Sequence, residues 1–503
     1  MGRVRLVVWS LLGVTLACAT ALGVTIYYRM RAPVRAKHVP AGDHEIAWFH
    51  TAANFSTWER FVAGAKRAAR QDARLTVDDT NAFLDQTTAV PELVIGAAGH
   101  SSKLRIRWYK QSSQATVADW VGALTRRDPP PLAILGGGSS DRAQQLATVL
   151  QERTQWRGAR PLLLITTATA VLIEDEPTAS FLNLMEVYPG RSFRFCFNNE
   201  QIAKATLDFV SRDPELRPQR AGGPPAVFAL EWRDDPYSID LAGQFRLALV
   251  GREPRVDFHH WSIRHSIGGA IRPNRHEAEA IEQLLSPTPR LPLRYPLPRG
   301  AGDRSLLVLP AVTGPARRVL GALTAEVPRI GRHVVAVTGD SIAFNTLYRD
   351  ADVAWDSRRL PVTLVGFAHE NPVAWEDERP DPARRASGLL TPTTGTDDVL
   401  HFATAVRRLC ESILPEPGSD SEAKPVTDAD ALAQRLRGLI PPLFDEFGNR
   451  LRGQGETILL LRPPSIEDDA DRAPSPASLE VWTRPGGSEW KLLRRLPIDP
   501  SRR

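Results

Sequence analysis

The chain has 503 residues, 42% of them hydrophobic, which is too much for one small core and calls for two or more lobes. Its formal net charge is +5, and the basic residues are spread among acids along the chain, which excludes the clustered footprint of a nucleic-acid binder. Three cysteines are too few for a disulfide framework; Cys18 lies in an apolar N-terminal stretch, and Cys196 and Cys410 read as free, buried thiols.

Residues 6–28 carry no charge. A helix of that length, at about 1.5 Å per residue, covers a hydrocarbon core of about 30 Å. Trp9, Tyr27 and Tyr28 suit the two interfaces. The expectation is an uncleaved single-pass anchor. Its rival is a cleavable signal peptide with Arg3 and Arg5 as the basic region. Arg29, Arg31, Arg35 and Lys37 outnumber Arg3 and Arg5, a count that by itself keeps the bulk of the chain cytoplasmic. Residues 32–43 read as a linker.

The next elements follow from apolar spacing. Residues 45–50 are a strand. Trp58, Phe61, Val62, Ala65 and Ala69 then form a helical stripe, with Trp58 in the core rather than on a cleft wall. Residues 72–100 show no regular period and read as an insertion. Residues 104–109 alternate as a strand, and Ala118, Val121 and Leu124 mark a helix ended by Asp128 and three prolines.

Residues 131–170 are the most informative stretch. An apolar run reaches Leu135; Gly136, Gly137 and Gly138 break it; Ser139, Ser140 and Asp141 follow, with Ser140 or Asp141 as the N-cap. Leu146, Val149 and Leu150 recur at helical spacing, and a second apolar run ends in Thr166, Thr167, Ala168, Thr169 and Ala170. The pattern predicts a parallel β-α-β unit, with two polar loops side by side at the carboxyl edge of the sheet. The Gly-rich loop either serves an anion at a helix N-terminus or merely permits a tight turn.

Beyond a polar, irregular stretch, residues 191–210 predict an extended strand and a helix from about Asn199. Residues 226–232 are a strand, followed by Asp235, Tyr237 and Ser238 at the head of a helix. Strands are expected at 256–263, 305–309, 333–337 and 361–367, the last returning the chain to the first lobe. Helices are expected at 274–285, 315–323, 397–414 and 431–439, with Asp430 capping the last. A turn at Phe444 to Asn449, a strand and a closing hairpin complete the chain.

The GGGSS turn, the ITTATA strand end and the strand with Asp235, Tyr237 and Ser238 together resemble the type I periplasmic-binding-protein family. The likeness is to its amino-acid-binding branch, shared with ABC transporter substrate-binding proteins and receptor ligand-binding regions. It implies an α/β fold of two lobes, each a parallel sheet flanked by helices, behind the N-terminal helix. The implied division is residues 1–43 anchor and linker, 44–190 lobe one, 191–360 lobe two, 361–440 a return to lobe one, and 441–503 a last crossing and hairpin. It also implies export, with the bulk outside the cytoplasmic membrane, against the charge count.

The same resemblance implies the site. Ser139 and Ser140 match the first carboxylate-binding loop, and Ala168 and Thr169 the backbone positions of the second. Ala170 stands where the family often has threonine, with Thr167 or Thr169 as substitutes. Tyr237 matches the family tyrosine, with Ser238 in place of the following glycine. Asp340 sits where the family carries its ammonium-binding acid, or else caps a helix. Residues 338–350 line the cleft or pack as a connection.

Catalytic signatures are missing: there is no G-x-S-x-G elbow, phosphate loop or H-E-x-x-H. His259 and His260 point to opposite faces of a strand, which disfavours a shared metal. A hydrolase built on Ser139 or Ser140 lacks a recognisable base. The expectation is therefore a non-enzymatic solute-binding protein without cofactor. It would capture a small polar ligand, an amino acid or small carboxylate, for an ABC transporter permease or for sensing. The alternative is a membrane-anchored scaffold that keeps the fold without binding.

Overall fold

Short apolar runs bounded by turns build two sheets, each buried on both faces. The structure is a computed structural model, and it describes residues 13, 15–20, 22, 34–84, 86, 89–175, 180–250, 255–264, 273–285, 303–326, 333–348, 362–373, 397–415, 426–438, 455–463, 477–485 and 488–498. Most of the 6–28 stretch expected to anchor the chain lies outside them, as do His265 and the 444–449 turn. Among the described residues, no helix is long and apolar enough to cross a membrane.

The first sheet contains β1 (His44–Thr51), β2 (Leu75–Asp78), β3 (Glu92–Ala97), β4 (Leu104–Gln111), β5 (Ala133–Gly136) and β6 (Leu162–Ile165). A separate hairpin, β7 (Leu172–Asp175) and β8 (Ser180–Asn183), precedes its last strand, β9 (Ser192–Arg194). The order is β2-β3-β4-β1-β5-β6-β9, parallel from β4 to β9. The expected β-α-β unit is present, with Leu135 beside Leu164. Residues 72–100 are not an irregular insertion: β2 and β3 form an antiparallel edge. Four residues are too few to display a period, and Pro91 and Gly96 read as breaks. Likewise β7 and β8 lie in the stretch expected to be irregular.

Three helices accompany these strands: α1 (Phe55–Gln71), α2 (Val117–Thr125) and α3 (Ser140–Glu152). The N-cap of α3 is Ser139, in extended conformation and without a side-chain capping bond, rather than Ser140 or Asp141.

The second sheet contains β10 (Ala226–Trp232), β11 (Asp257–Ile263), β12 (Ser305–Val308), β13 (Val334–Val337), β14 (Thr363–Ala368), β15 (Glu456–Arg462), β16 (Ser478–Arg484) and β17 (Lys491–Pro497). Its order is β11-β10-β12-β13-β14-β15-β16-β17, parallel as far as β14 and antiparallel beyond. The helices that follow the first three are α4 (Asn199–Arg212), α5 (Pro236–Leu249), α6 (Arg275–Leu285), α7 (Thr313–Glu326), α8 (Phe344–Tyr348), α9 (Asp397–Ile413) and α10 (Ala429–Gly438). Asp428, not Asp430, accepts the Ala431 N–H at the start of α10, at 2.9 Å.

Strand β14 corrects another expectation. It does not return to the first sheet but pairs with β13 and β15. All six of its residues are buried, as a central strand requires. The return comes later, through α9, which packs on α1. There Gly64 allows close approach: a Cβ would lie 2.7 Å from the Phe402 Cβ.

Alternation along the strands sends side chains to both faces of each sheet. On one face of the first sheet, Trp48 and Trp108 meet Trp58 of α1, Phe402 of α9 and Leu432 of α10. Trp58 is a core residue, as expected, and its indole donates to the Ala82 carbonyl at 2.6 Å. On the other face, Phe49 and Ile134 meet Val121 of α2 and Leu146 of α3. The second sheet is covered by Ile281, Val319 and Phe344 on one side, and by Ile202, Leu241 and Phe245 on the other.

A buried ionic network closes the amino end of the first sheet. Glu45 accepts from Arg107 at 2.5 Å, from Arg127 at 2.9 Å and from the Tyr109 hydroxyl at 3.0 Å. The same arginines hold the linker: Arg107 donates to the Lys37 and His38 carbonyls at 3.1 and 3.0 Å, and Arg127 to that of Lys37 at 2.9 Å. Cys196 and Cys410 are buried, and neither is in a disulfide among the described residues.

Candidate ligand-binding cleft

The carboxyl ends of the parallel strands in both sheets border one cavity of about 570 Å³. The first lobe lines it through His50 in the last residues of β1, the turn after β5, and Thr166 and Thr167 after β6. The second contributes Asp235 and Tyr237 after β10, Thr313 after β12, Asp340 and Ser341 after β13, and His369 after β14. Helix α9 adds Asp398, His401 and Phe402.

In the turn after β5, Gly137 has φ +75°, which a side chain would strain. Gly138 faces His50, whose Nε2 a Cβ there would meet at 2.9 Å. The Ser139 hydroxyl makes no capping bond to α3, although the residue is its N-cap and lines the cavity. Ser140 is 1% exposed; its Oγ accepts the Ala170 N–H at 3.3 Å, which leaves its own proton to donate. Neither serine bonds to a histidine among the described residues. Arg142, on the first turn of α3, also lines the cavity.

The second loop departs from expectation. Ala168 and Thr169 are each 1% exposed and do not line the cavity, whereas Thr166 and Thr167 do. The backbone beyond Thr167 serves the junction between lobes. The Ala168 carbonyl faces the Cys196 thiol at 3.5 Å, that of Thr169 accepts the Asn199 N–H at 2.8 Å, and that of Ala170 accepts from Arg194 at 2.6 Å. The junction is tied again from the second lobe. Asp240, on α5, accepts the Val171 and Leu172 N–H groups at 2.7 and 3.1 Å and the Asn199 side chain at 2.9 Å. Burial pushes the Asp240 carboxyl up, while these donors oppose the shift.

Tyr237 and Asp340 meet in the second lobe. Asp235 caps α5 by accepting the Tyr237 N–H at 3.1 Å, and Pro236 occupies the first turn. Ser238, in the glycine position of the resemblance, is buried and accepts the Trp232 N–H at 2.9 Å, fixing the end of β10. The Tyr237 hydroxyl donates to Ser341 at 3.2 Å, and Ser341 to the Ala311 carbonyl at 2.6 Å. Burial first, then the Asp340 charge, push the phenol well above its ordinary range, so it stays neutral. A Cβ on Gly339 would collide with that hydroxyl.

Asp340 accepts from His369 Nε2 at 2.9 Å, while its Oδ1 is buried without a hydrogen-bond partner among the described residues. His369 Nδ1 accepts the Phe197 N–H at 3.3 Å, which fixes the tautomer with the proton on Nε2. The result is a carboxylate with an unused oxygen at the cleft, suited to a cationic donor.

Sequence reasoning missed His50, Arg60, Arg142, His369, Asp398 and His401. Burial, then Arg142 and more weakly Arg60, push His50 down to about 4, so the ring is neutral at pH 7. Arg60 pairs with Asp398 at 2.8 Å, joining α1 to α9 at the cavity. His401 donates to the Thr166 carbonyl at 2.7 Å, with its ring 5.3 Å from that of His369. His50 is the penultimate residue of β1 and His369 directly follows β14, a signal that the carboxyl-edge rule could have used. Asp398 and His401 lie on a distant helix, where no local pattern marks them. His260 lies instead against Glu231, at 2.9 Å and away from the cleft. Among the described residues, no group of three or more His, Cys, Asp or Glu could hold a metal.

No protein-family model and no curated protein matches the sequence. Solved structures similar to the chain are branched-chain amino-acid ABC transporter substrate-binding proteins of the type I periplasmic-binding fold. A leucine-binding protein of Thermotoga maritima is 12% identical, with a TM-score of 0.47 over 90% of this chain and 99% of its own. A branched-chain amino-acid ABC transporter protein of Thermus thermophilus with bound valine is 13% identical, with a TM-score of 0.46 over 91% and 98%. A solute-binding protein of R. palustris in complex with benzoate is 11% identical, with a TM-score of 0.45 over 91% and 98%. With these scores below 0.5, the functional case rests on the cleft itself.

Proposed function

We propose that this chain is a non-catalytic solute-binding protein that captures a small zwitterion, an amino acid or related amino carboxylate, between its two lobes. Ser139, Ser140 and the first turn of α3 receive the carboxylate, and Asp340 with Tyr237 receives the ammonium. The observation that carries this reading is the opposed chemistry of one cavity: hydroxyl and N–H donors on the first lobe, an acid with an unused oxygen on the second. In this reading residues 44–194 and the 397–438 helices form lobe one, since β9 belongs to the first sheet and the boundary expected at 190 moves past it, and residues 199–373 with the C-terminal strands form lobe two. Ligand bridging the lobes shifts an open–closed equilibrium by its preference for the closed form. The output is delivery to an ABC transporter permease or a signal to a partner, outside the cytoplasmic membrane, with residues 6–28 as tether.

The test is a thermal-shift and calorimetric screen of the full chain against amino acids and small carboxylates. A ligand that binds only the folded state raises the melting temperature, by about 2.7 kcal/mol of stabilisation at a hundredfold excess over Kd. A flat response across the panel sinks the reading. One feature favours the scaffold alternative: Asp240, on α5, joins the lobes through protein bonds alone. That alternative expects the flat response.

A further inference from the structure

The donor end of the cavity has more positive character than one carboxylate uses. Arg142 lines it and has no ion pair among the described residues. The neighbouring Arg60 is matched by Asp398 at 2.8 Å, so Arg142 is the unmatched charge of the two. His50 is 6% exposed and lines the same wall; among the described residues its Nδ1 has no hydrogen-bond partner of good geometry, although the Thr51 backbone acts on the ring. A buried polar atom left unsatisfied costs stability, and its presence in a cavity wall points to a missing partner. The imidazole is held neutral, so it can accept or donate a hydrogen bond without bringing a full charge. Gly138 keeps the space beside His50 Nε2 open, since any Cβ there would stand 2.9 Å from it.

We propose that the ligand carries a second acidic group, and that Arg142 and His50 hold it. The proposal rests on the solute-binding reading and narrows it from amino acids in general to amino dicarboxylates and close analogues. The match is local: one ammonium answers Asp340, one carboxylate takes the serine hydroxyls and helix N–H groups, and a second offsets Arg142, while Asp235, the remaining acid of the lining, is engaged as the cap of α5. An unpaired guanidinium in a closed, partly dried cleft would otherwise weaken the binding of a neutral side chain.

Isothermal titration of the full chain with L-aspartate, L-glutamate and L-2-aminoadipate, each beside its side-chain amide, tests this directly. The amide is nearly isosteric and removes only the charge. At least one acid is expected to bind about tenfold tighter than its amide, or more. R142Q should collapse that ratio towards unity, R142K should retain part of it, and His50→Gln should lower it. Circular dichroism checks that each variant is folded. If amides, L-leucine or L-valine bind as well as the acids, the proposal fails while the solute-binding reading stands. A preference that survives both R142Q and His50→Gln also overturns it. If no probe of either kind binds, both fall together.

Discussion

His369 donates a hydrogen bond from its Nε2–H to Asp340 across 2.9 Å while its Nδ1 accepts one from the Phe197 N–H, at the crossing between the lobes. The cleft acid is thus oriented by a ring that is itself oriented by the hinge backbone. Asp340→Asn preserves shape and removes the charge. Its affinity for an amino-acid ligand should fall about tenfold or more, with little change in melting temperature of the free protein. Unchanged affinity by calorimetry would remove Asp340 from the site.

Gly339 and Tyr237 compete for one volume, because a Cβ at position 339 would strike the Tyr237 hydroxyl and lie 2.8 Å from Leu241. Gly339→Ala should destabilise by roughly 1–3 kcal/mol. Tyr237→Phe should cost about 1 kcal/mol through the lost bond to Ser341. Combined, the two should cost less than their sum, since Phe removes one of the clashing atoms. Strict additivity in urea unfolding would show that the hydroxyl is not the obstacle.

Acid should weaken the fold through His50. Its folded-state value lies below the ordinary 6.5, at about 4, so between these limits the unfolded chain binds more protons. The contribution is complete above about 6.5 and is lost as pH falls towards 4, amounting to at most about 3 kcal/mol. His50→Gln should flatten that part of the stability–pH curve. An identical acid slope in the variant would rule out His50 as its source.

Asp240 spans the junction by accepting two N–H groups of the first lobe from a helix of the second. Asp240→Ala should destabilise by roughly 1–3 kcal/mol, because two half-buried donors lose their acceptor. It should also open the ligand-free shape. Small-angle scattering reads that as a larger radius of gyration, and an unchanged profile would show that the lobes are held by other contacts.

Much of the fold was legible because its strands are apolar runs with polar turns at their ends. Residues 226–232 illustrate this: the expected strand and the observed β10 coincide. The misplacement of β14 has a physical origin. A strand buried on both faces looks the same in either sheet, and only pairing with β13 and β15 decides its place. The site was half legible. Ser139, Ser140, Tyr237 and Asp340 converge on one cavity, since each follows a strand end. Ala168 and Thr169 do not, because the crossing to the second lobe uses their carbonyls, and no local pattern encodes that demand.

The grip of Arg107 and Arg127 on the Lys37 and His38 carbonyls has a mechanical consequence. Any force arriving along the polypeptide from residues before 34 is passed into the amino end of the first sheet, not into the crossings. In the proposed closure that lobe is the arm held by the linker, and the other is the one expected to swing. A dye pair with one label near the linker and the other beside β11 would report the excursion.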